Sequence, residues 1–269
     1  MNDRASANAR WWGEFRIPHG KAGRWRIGPL CLIVTRLKHE WHVARETGER
    51  PTTDCSVELP TEPPAPNQKA IVTRYATARQ SELLNVWPVL PDRSIVTRPE
   101  SPLSVLPRTE VVIYVGSPLW IRLEEEQGDD DKPLADLPAQ PAKETWWGPS
   151  PRVGELCYAT RTVGRIRLDE ASRFPHRVLT AVTIKNDAGL PLAIERLNLP
   201  VRRLSVYAAK DGRLWTESVT LERAEAEEMA ALEVGREPPK VARDAELISR
   251  ARDSDRTNVL FRAFGTLFS

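Results

Sequence analysis

Histidine and cysteine are scarce, with four of one and three of the other in 269 residues. The cysteines (Cys31, Cys55 and Cys157) are odd in number and form no Cys-x-x-Cys pair. The chain is also too long to need a disulfide framework, so a reducing compartment, the cytoplasm, is its expected home. Cys31 and Cys157 lie in apolar runs and read as small buried hydrophobes. Cys55 reads as a plain surface cysteine, with no basic neighbour or helix start to activate it. The histidines give one cluster, His39-Glu40-Trp41-His42. A helical zinc motif spaces its histidines four apart on one face; a spacing of three on a strand sends them to opposite faces. No metal is expected there. Asp129 to Asp131 lack the alternate spacing and closing Glu of a calcium loop and read as an acidic solvated loop.

Other absences narrow the class further. No glycine loop of the phosphate-cradling or dinucleotide type occurs, so no cofactor is expected. No Gly-x-Ser-x-Gly elbow occurs either. The longest apolar run, Leu30 to Val34, is too short to cross a bilayer. The opening "MNDRASANAR" has no apolar stretch of the kind a signal peptide needs. A net charge of +2 gives no global field for nucleic acid or an anionic membrane. Charge is uneven, however: residues 1–45 hold nine Lys/Arg against three Asp/Glu. Residues 122–136 hold seven Asp/Glu against Arg122 and Lys132.

Proline is abundant, with 23 residues, and scattered, which works against long helices. Apolar residues mostly alternate. Trp25 and Ile27, then Leu30, Leu32 and Val34 beyond Gly28-Pro29, then Trp41 and Val43, read as three strands. Residues 51–69 read as a proline-rich loop with one edge segment at Val57 to Leu59. Ile-Val-Thr-Arg occurs at 33–36, 71–74 and 95–98. Its unequal spacing rules out a structural repeat, and it reads as strand composition with an outward Arg. Residues 102–123 predict two strands broken at Gly116-Ser117-Pro118. Val178, Thr180, Val182 and Ile184 share one strand face ahead of a turn at 186–189. Asp211-Gly212 between alternating runs predicts a hairpin. Residues 223–234 and 241–252 predict short helices, the second with Val241, Ala245, Ile248 and Ala251 on one face. The terminal "NVLFRAFGTLF" predicts a returning strand.

The fold expected is therefore mainly β: two β-sandwich-like halves, immunoglobulin-like or jelly-roll-like, with one or two C-terminal helices. The boundaries are an N-terminal β domain at 10–123, an acidic, proline-rich linker or loop at 124–145 and a C-terminal sandwich at 146–269.

The informative excess is tryptophan, nine residues, and above all the doublets Trp11-Trp12 and Trp146-Trp147, each followed by Gly. Trp25, Trp41, Trp87, Trp120 and Trp215 stand singly in alternating runs and read as core. Adjacent residues on a strand point to opposite faces. A doublet on a strand therefore turns one ring inward and offers the other to a second layer, a subunit, a partner or a ligand such as a sugar. In a loop, both rings can instead wrap the end of a sandwich. Trp11, Trp12, Trp146 and Trp147 are the candidate binding residues. The alternative is an enzyme with a site between the halves, built from Glu14, His39, Glu40 and His176. It requires two or more of these groups within hydrogen-bond reach in a cleft. A nucleic-acid site would need Arg10, Arg16, Arg24 and Arg26 on one open face beside Trp11 and Trp12. On a strand, Trp25 points away from Arg24 and Arg26, which disfavours it.

"WWGEF", "RWRIGPLCLIVTRLKHEWHVA", "PDRSIVTRPESPLSVLPRTEVVIYVGSPLWIRL", "TWWG", "GELCYATRT" and "DGRLWTESV" together resemble an uncharacterised family of bacterial and archaeal proteins, a domain of unknown function. The resemblance spans nearly the whole chain and implies one conserved whole-length unit. It implies no activity, cofactor or catalytic residue. The function expected is thus a cytoplasmic, non-catalytic interaction or ligand-binding module acting through Trp-bearing surface. A protein partner or small ligand is expected and no membrane span; a homo-oligomer stays open.

Overall fold

The structure, a computed structural model, describes residues 10–50, 52–63, 70–99, 101–126, 133–162, 165–168, 173–223, 229–254 and 259–265. Among the described residues strand makes up 59% and helix 3%, so the protein is mainly β. Two compact units share the chain. The first comprises Met1–Val89, Leu119–Pro141 and Phe174–His176; the second comprises Leu90–Pro118, Ala142–Arg173 and Arg177–Ser269.

In the first unit, one sheet runs in the order β1 (Gly13–Arg16), β7 (Leu83–Val89), β11 (Trp120–Glu125) and β12 (Ala135–Pro138). The other runs β5 (Cys55–Thr61), β2 (Ala22–Ile27), β3 (Leu30–Leu37), β4 (Glu40–Thr47) and β6 (Ile71–Ala76). Both are antiparallel throughout. The alternation seen in the sequence is the alternation of burial. Trp25, Ile27, Leu30, Leu32, Val34 and Trp41 are all fully buried, while Arg24 and Arg26 turn to the opposite face of β2. Phe15 of β1 meets Trp25 edge to face at 5.3 Å, and the Trp41 indole donates to Glu125 of β11 at 3.2 Å. These contacts join the two sheets of the unit. Within 124–145, Ala135, Leu137 and Ala139 are buried, and Arg122 holds Asp136 through two hydrogen bonds. Asp129 to Asp131 lie outside the described residues.

The described residues of the second unit form three sheets. The largest follows the order β22 (Glu246–Ser249), β18 (Val206–Ala208), β19 (Leu214–Trp215), β15 (Arg177–Asn186), β20 (Val219–Arg223), β21 (Met229–Val234) and β23 (Val259–Arg262), with β10 (Thr109–Pro118) also paired to β15. A five-stranded sheet runs β13 (Lys143–Ser150), β14 (Val153–Thr162), β8 (Ile95–Pro99), β17 (Arg196–Leu199) and β24 (Phe264–Gly265). β9 (Leu103–Val105) and β16 (Leu192–Ile194) form a two-stranded sheet. β10 and β15 pair over ten residues, Thr109↔Asn186 to Pro118↔Arg177. The predicted break at 116–118 is therefore absent, and the chain leaves the strand at Leu119. The turn after β15 is held by Asn186, whose amide donates to the carbonyls of Val105, Leu106 and Leu190. The Asp211-Gly212 hairpin forms as expected, with Tyr207 opposite Trp215.

The two C-terminal helices are corrected. Residues 229–234 form β21 and pair with β20, Leu221 opposite Leu232; residues 224–228 lie outside the described residues. Ala230 and Leu232 face inward while Ala231 and Glu233 face outward, a period of two inside a run of good helix formers. Helix propensity differences are below about 1 kcal/mol per residue, and burial of Leu232 against β20 outweighs them. Residues 241–252 give one 3-10 turn, Lys240–Ala242, and β22, whose Leu247 pairs with Tyr207. Val241, expected on the buried face of a helix, is exposed. A second correction concerns the Ile-Val-Thr-Arg segments. Arg98 and Arg74 do face outward, but Arg36 is fully buried.

Candidate functional site

The two tryptophan doublets occupy different backbone environments. Trp11 and Trp12 precede β1 in non-strand conformation, so alternation does not separate their rings. Both are buried, 1% and 8% exposed, and they pack on each other edge to face at 5.5 Å. The Arg10 guanidinium lies 5.8 Å from the Trp12 ring centre. This doublet presents no surface to a ligand, and its burial also removes the aromatic half of the nucleic-acid site considered for Arg10, Arg16, Arg24 and Arg26.

Trp146 and Trp147 lie within β13, and there the rings do part. Trp147 is 4% exposed. Its indole donates to the Arg262 carbonyl at 2.8 Å, and it packs with Val96 and Cys157. The Arg196 guanidinium covers the ring at 4.9 Å. A Cβ on Gly265 would sit 2.8 Å from that ring, so the indole of the first strand reaches the last, and the five-stranded sheet is curled around it. Trp146 is 42% exposed on the other face, opposite Leu156. Its indole folds down to donate to the Ser150 carbonyl at 2.8 Å. Gly154 makes this fold-down feasible, because a Cβ there would lie 2.9 Å from the Trp146 indole nitrogen and 2.4 Å from the Trp147 carbonyl.

The β13–β14 hairpin thus carries an apolar surface of Trp146 and Leu156, both exposed. Its polar border is defined. Arg93 pairs with Glu144 at 2.6 Å and lies over the Tyr158 ring. The Tyr158 hydroxyl donates to Asp92 at 3.0 Å. Burial, together with that carboxylate, raises the Tyr158 pKa.

The alternative polar site is not assembled. Glu14 is exposed on β1. His39 is exposed in the turn between β3 and β4. Glu40 is committed to Arg74, at 2.6 and 2.7 Å, and to His42 at 2.9 Å. These hydrogen bonds, Arg74 first, lower its pKa to about 2. His176 is fully buried against the β2–β3 turn. A Cβ on Gly28, at φ +58°, would fall 2.1 Å from its Nδ1. That turn and the His39 turn are separated by the length of β3, roughly 25 Å for eight residues.

The thiols are not poised for chemistry. Burial pushes Cys55 up to about 11 and Cys157 up to about 12. Cys157 is the buried hydrophobe expected, whereas Cys31 and Cys55 are both partly buried. Among the described residues no group of three His, Cys, Asp or Glu could hold a metal ion. Among the described residues no helix is long and apolar enough to cross a membrane.

Two polar clusters escaped sequence reasoning, and both read as structural. Arg36 donates to the carbonyls of Ser81, Leu37, Glu40 and Arg79 and lies over Trp41 at 4.7 Å, fixing the segment that leads into β7. Glu217, fully buried, accepts from the Ser205 amide at 2.7 Å and the Tyr207 hydroxyl at 3.2 Å. A family model described as "Protein of unknown function (DUF432)" matches residues 11–269. The chain belongs to this family. No curated protein and no solved structure matches it.

Proposed function

We propose that this chain is a cytoplasmic, non-catalytic binding module, its sandwich-like units serving as scaffold. It contacts a protein partner through the apolar face of the β13–β14 hairpin. The observation that carries this reading is Trp146, 42% exposed while its neighbour Trp147 is 4% exposed. A large ring held at the surface by its own hydrogen bond, beside Leu156, has the composition of an interface hot spot. The Arg93–Glu144 pair and Arg152 supply the polar rim. Satisfied polar groups around an apolar centre favour recognition over chemistry, since no nucleophile and base converge there.

The test is site-specific photo-crosslinking in the native host. A benzoylphenylalanine at position 146 or 156 is expected to capture one discrete partner. The same group at 190 serves as control, because Leu190 is more exposed (64%) and lies in the same unit. An identical adduct at 190, or none at 146 and 156, overturns the reading.

A further inference from the structure

The opposite face of the curled sheet carries a feature independent of Trp146. Arg161 of β14 and Arg98 of β8 are direct partners in the parallel register. Antiparallel pairing of β17 with β8, Leu197 opposite Thr97, sets Arg196 beside Arg98 on that same face. Three arginines therefore stand abreast on adjacent strands, which are about 4.8 Å apart. A fourth, Arg177, donates to the Arg161 carbonyl at 3.2 Å.

Like charges set directly opposite each other weaken strand pairing, and several other arginines of this chain are neutralised. Arg24 has Glu58, Arg74 has Glu40, Arg93 has Glu144 and Arg122 has Asp136. Arg98 and Arg161 are exposed and form no ion pair among the described residues. The carboxylate on their face, Glu155, is occupied by the Asn198 amide at 2.8 Å. It lies six residues along β14 from Arg161, roughly 20 Å away. Burial lowers the pKa of Arg196, and the charge of Arg98 adds to the effect. The Arg196 guanidinium lies over Trp147 and reaches the Trp146 carbonyl at 3.4 Å, so an aromatic floor adjoins the row.

We infer that Arg161, Arg98 and Arg196 form a binding site for a soluble small molecule bearing two or more adjacent phosphoryl groups. Guanidinium forks match phosphate oxygens two at a time. A row about 10 Å across its outer strands suits linked phosphates better than one alone. The site goes beyond the partner surface proposed above and lies on the other face of the sheet, so either can fail while the other stands.

The probe is inorganic pyrophosphate, titrated calorimetrically into the full chain at low and high salt. Binding is expected, and it should weaken with salt because the row is exposed. The double variant R98Q/R161Q should lose about tenfold or more in affinity, as expected when forked, charge-assisted bonds are removed. R24Q/R26Q removes the same charge from the first unit and should stay within about twofold of the parent. Arg98→Lys keeps the charge without the fork and should fall between, which keeps the test valid if the double variant folds poorly. Co-sedimentation with vesicles containing phosphatidylinositol bisphosphate separates the sources of the phosphate. Failure to bind pyrophosphate, equal losses in both double variants, or binding to vesicles alone each overturns the inference.

Discussion

Trp11-Trp12 and Trp146-Trp147 share one tripeptide, Trp-Trp-Gly, and have opposite fates. The first pair sits in irregular backbone, and both rings turn inward. The second sits in β13, and the strand's period of two drives one ring in and one out. A side-chain doublet does not specify its own exposure; the backbone conformation that receives it does. The difference also separates stability from recognition. The N-terminal rings serve packing, Trp147 serves packing and a hydrogen bond, and Trp146 is left half exposed.

Truncation separates the two roles most sharply. Trp11→Ala empties a site 1% exposed and should cost about 3–5 kcal/mol of unfolding free energy. Trp146→Ala should cost about 1 kcal/mol or less, because its ring is already half in water. Urea denaturation of both variants measures the gap, and equal losses would show that the Trp146 ring is structural after all.

The next effect concerns the backbone that lets Trp146 lie where it does. Gly154→Ala places a methyl 2.4 Å from the Trp147 carbonyl and 2.9 Å from the Trp146 indole nitrogen. The hairpin must open to accept it, at about 1–3 kcal/mol. The crosslink at 146 should weaken with it, while contacts around Trp11 stay unchanged. An unaltered hairpin, seen as an unshifted Trp146 indole proton resonance, would break the link between Gly154 and ring placement.

Much of this architecture was written in the alternation of apolar residues. Trp25, Leu32, Val34, Trp41 and Val182 are buried where period two puts them, because a strand with one covered face leaves no other choice. The misread C-terminal segments show the limit. Met229–Val234 alternates in burial, yet Ala, Glu, Met and Leu are all good helix formers, and only the pairing with β20 decides between the two patterns. The three Ile-Val-Thr-Arg segments show it again. All lie in strands, but Arg36 is buried among backbone carbonyls, Arg74 is bound to Glu40, and Arg98 stands opposite Arg161. Four identical residues cannot encode three environments; the neighbouring strands supply them. Of the candidate site, the parting of the rings at 146 and 147 was legible from strand geometry, but which of the two turns outward was not. Its counterpart at 11–12 was not, since nothing local marks those residues as irregular backbone.

A smaller effect tests the inward member of the strand doublet. Trp147→Phe keeps an aromatic ring in the curl of the sheet but removes the N–H that reaches the Arg262 carbonyl. The loss should be about 1 kcal/mol, the worth of one net hydrogen bond. The neighbouring crosslink at 146 should persist. A loss as large as that of Trp11→Ala would mean the ring's shape, more than its donor, sets the curl.

The smallest effect on stability is the most direct reading of the comparison. Trp146→Phe should leave the unfolding free energy within about 0.5 kcal/mol of the parent, as exposed substitutions do. Acrylamide quenching should nevertheless change clearly. Trp11, Trp12, Trp25, Trp41, Trp147 and Trp215 are all under 9% exposed and contribute little to the accessible fraction. Removing the exposed indole at 146 should lower that fraction, and Trp12→Phe should leave it as it was. If both substitutions lower it equally, the N-terminal pair reaches solvent in solution. Strand and loop would then treat the doublet alike, and exposure at 146 would no longer single out that hairpin as the contact surface.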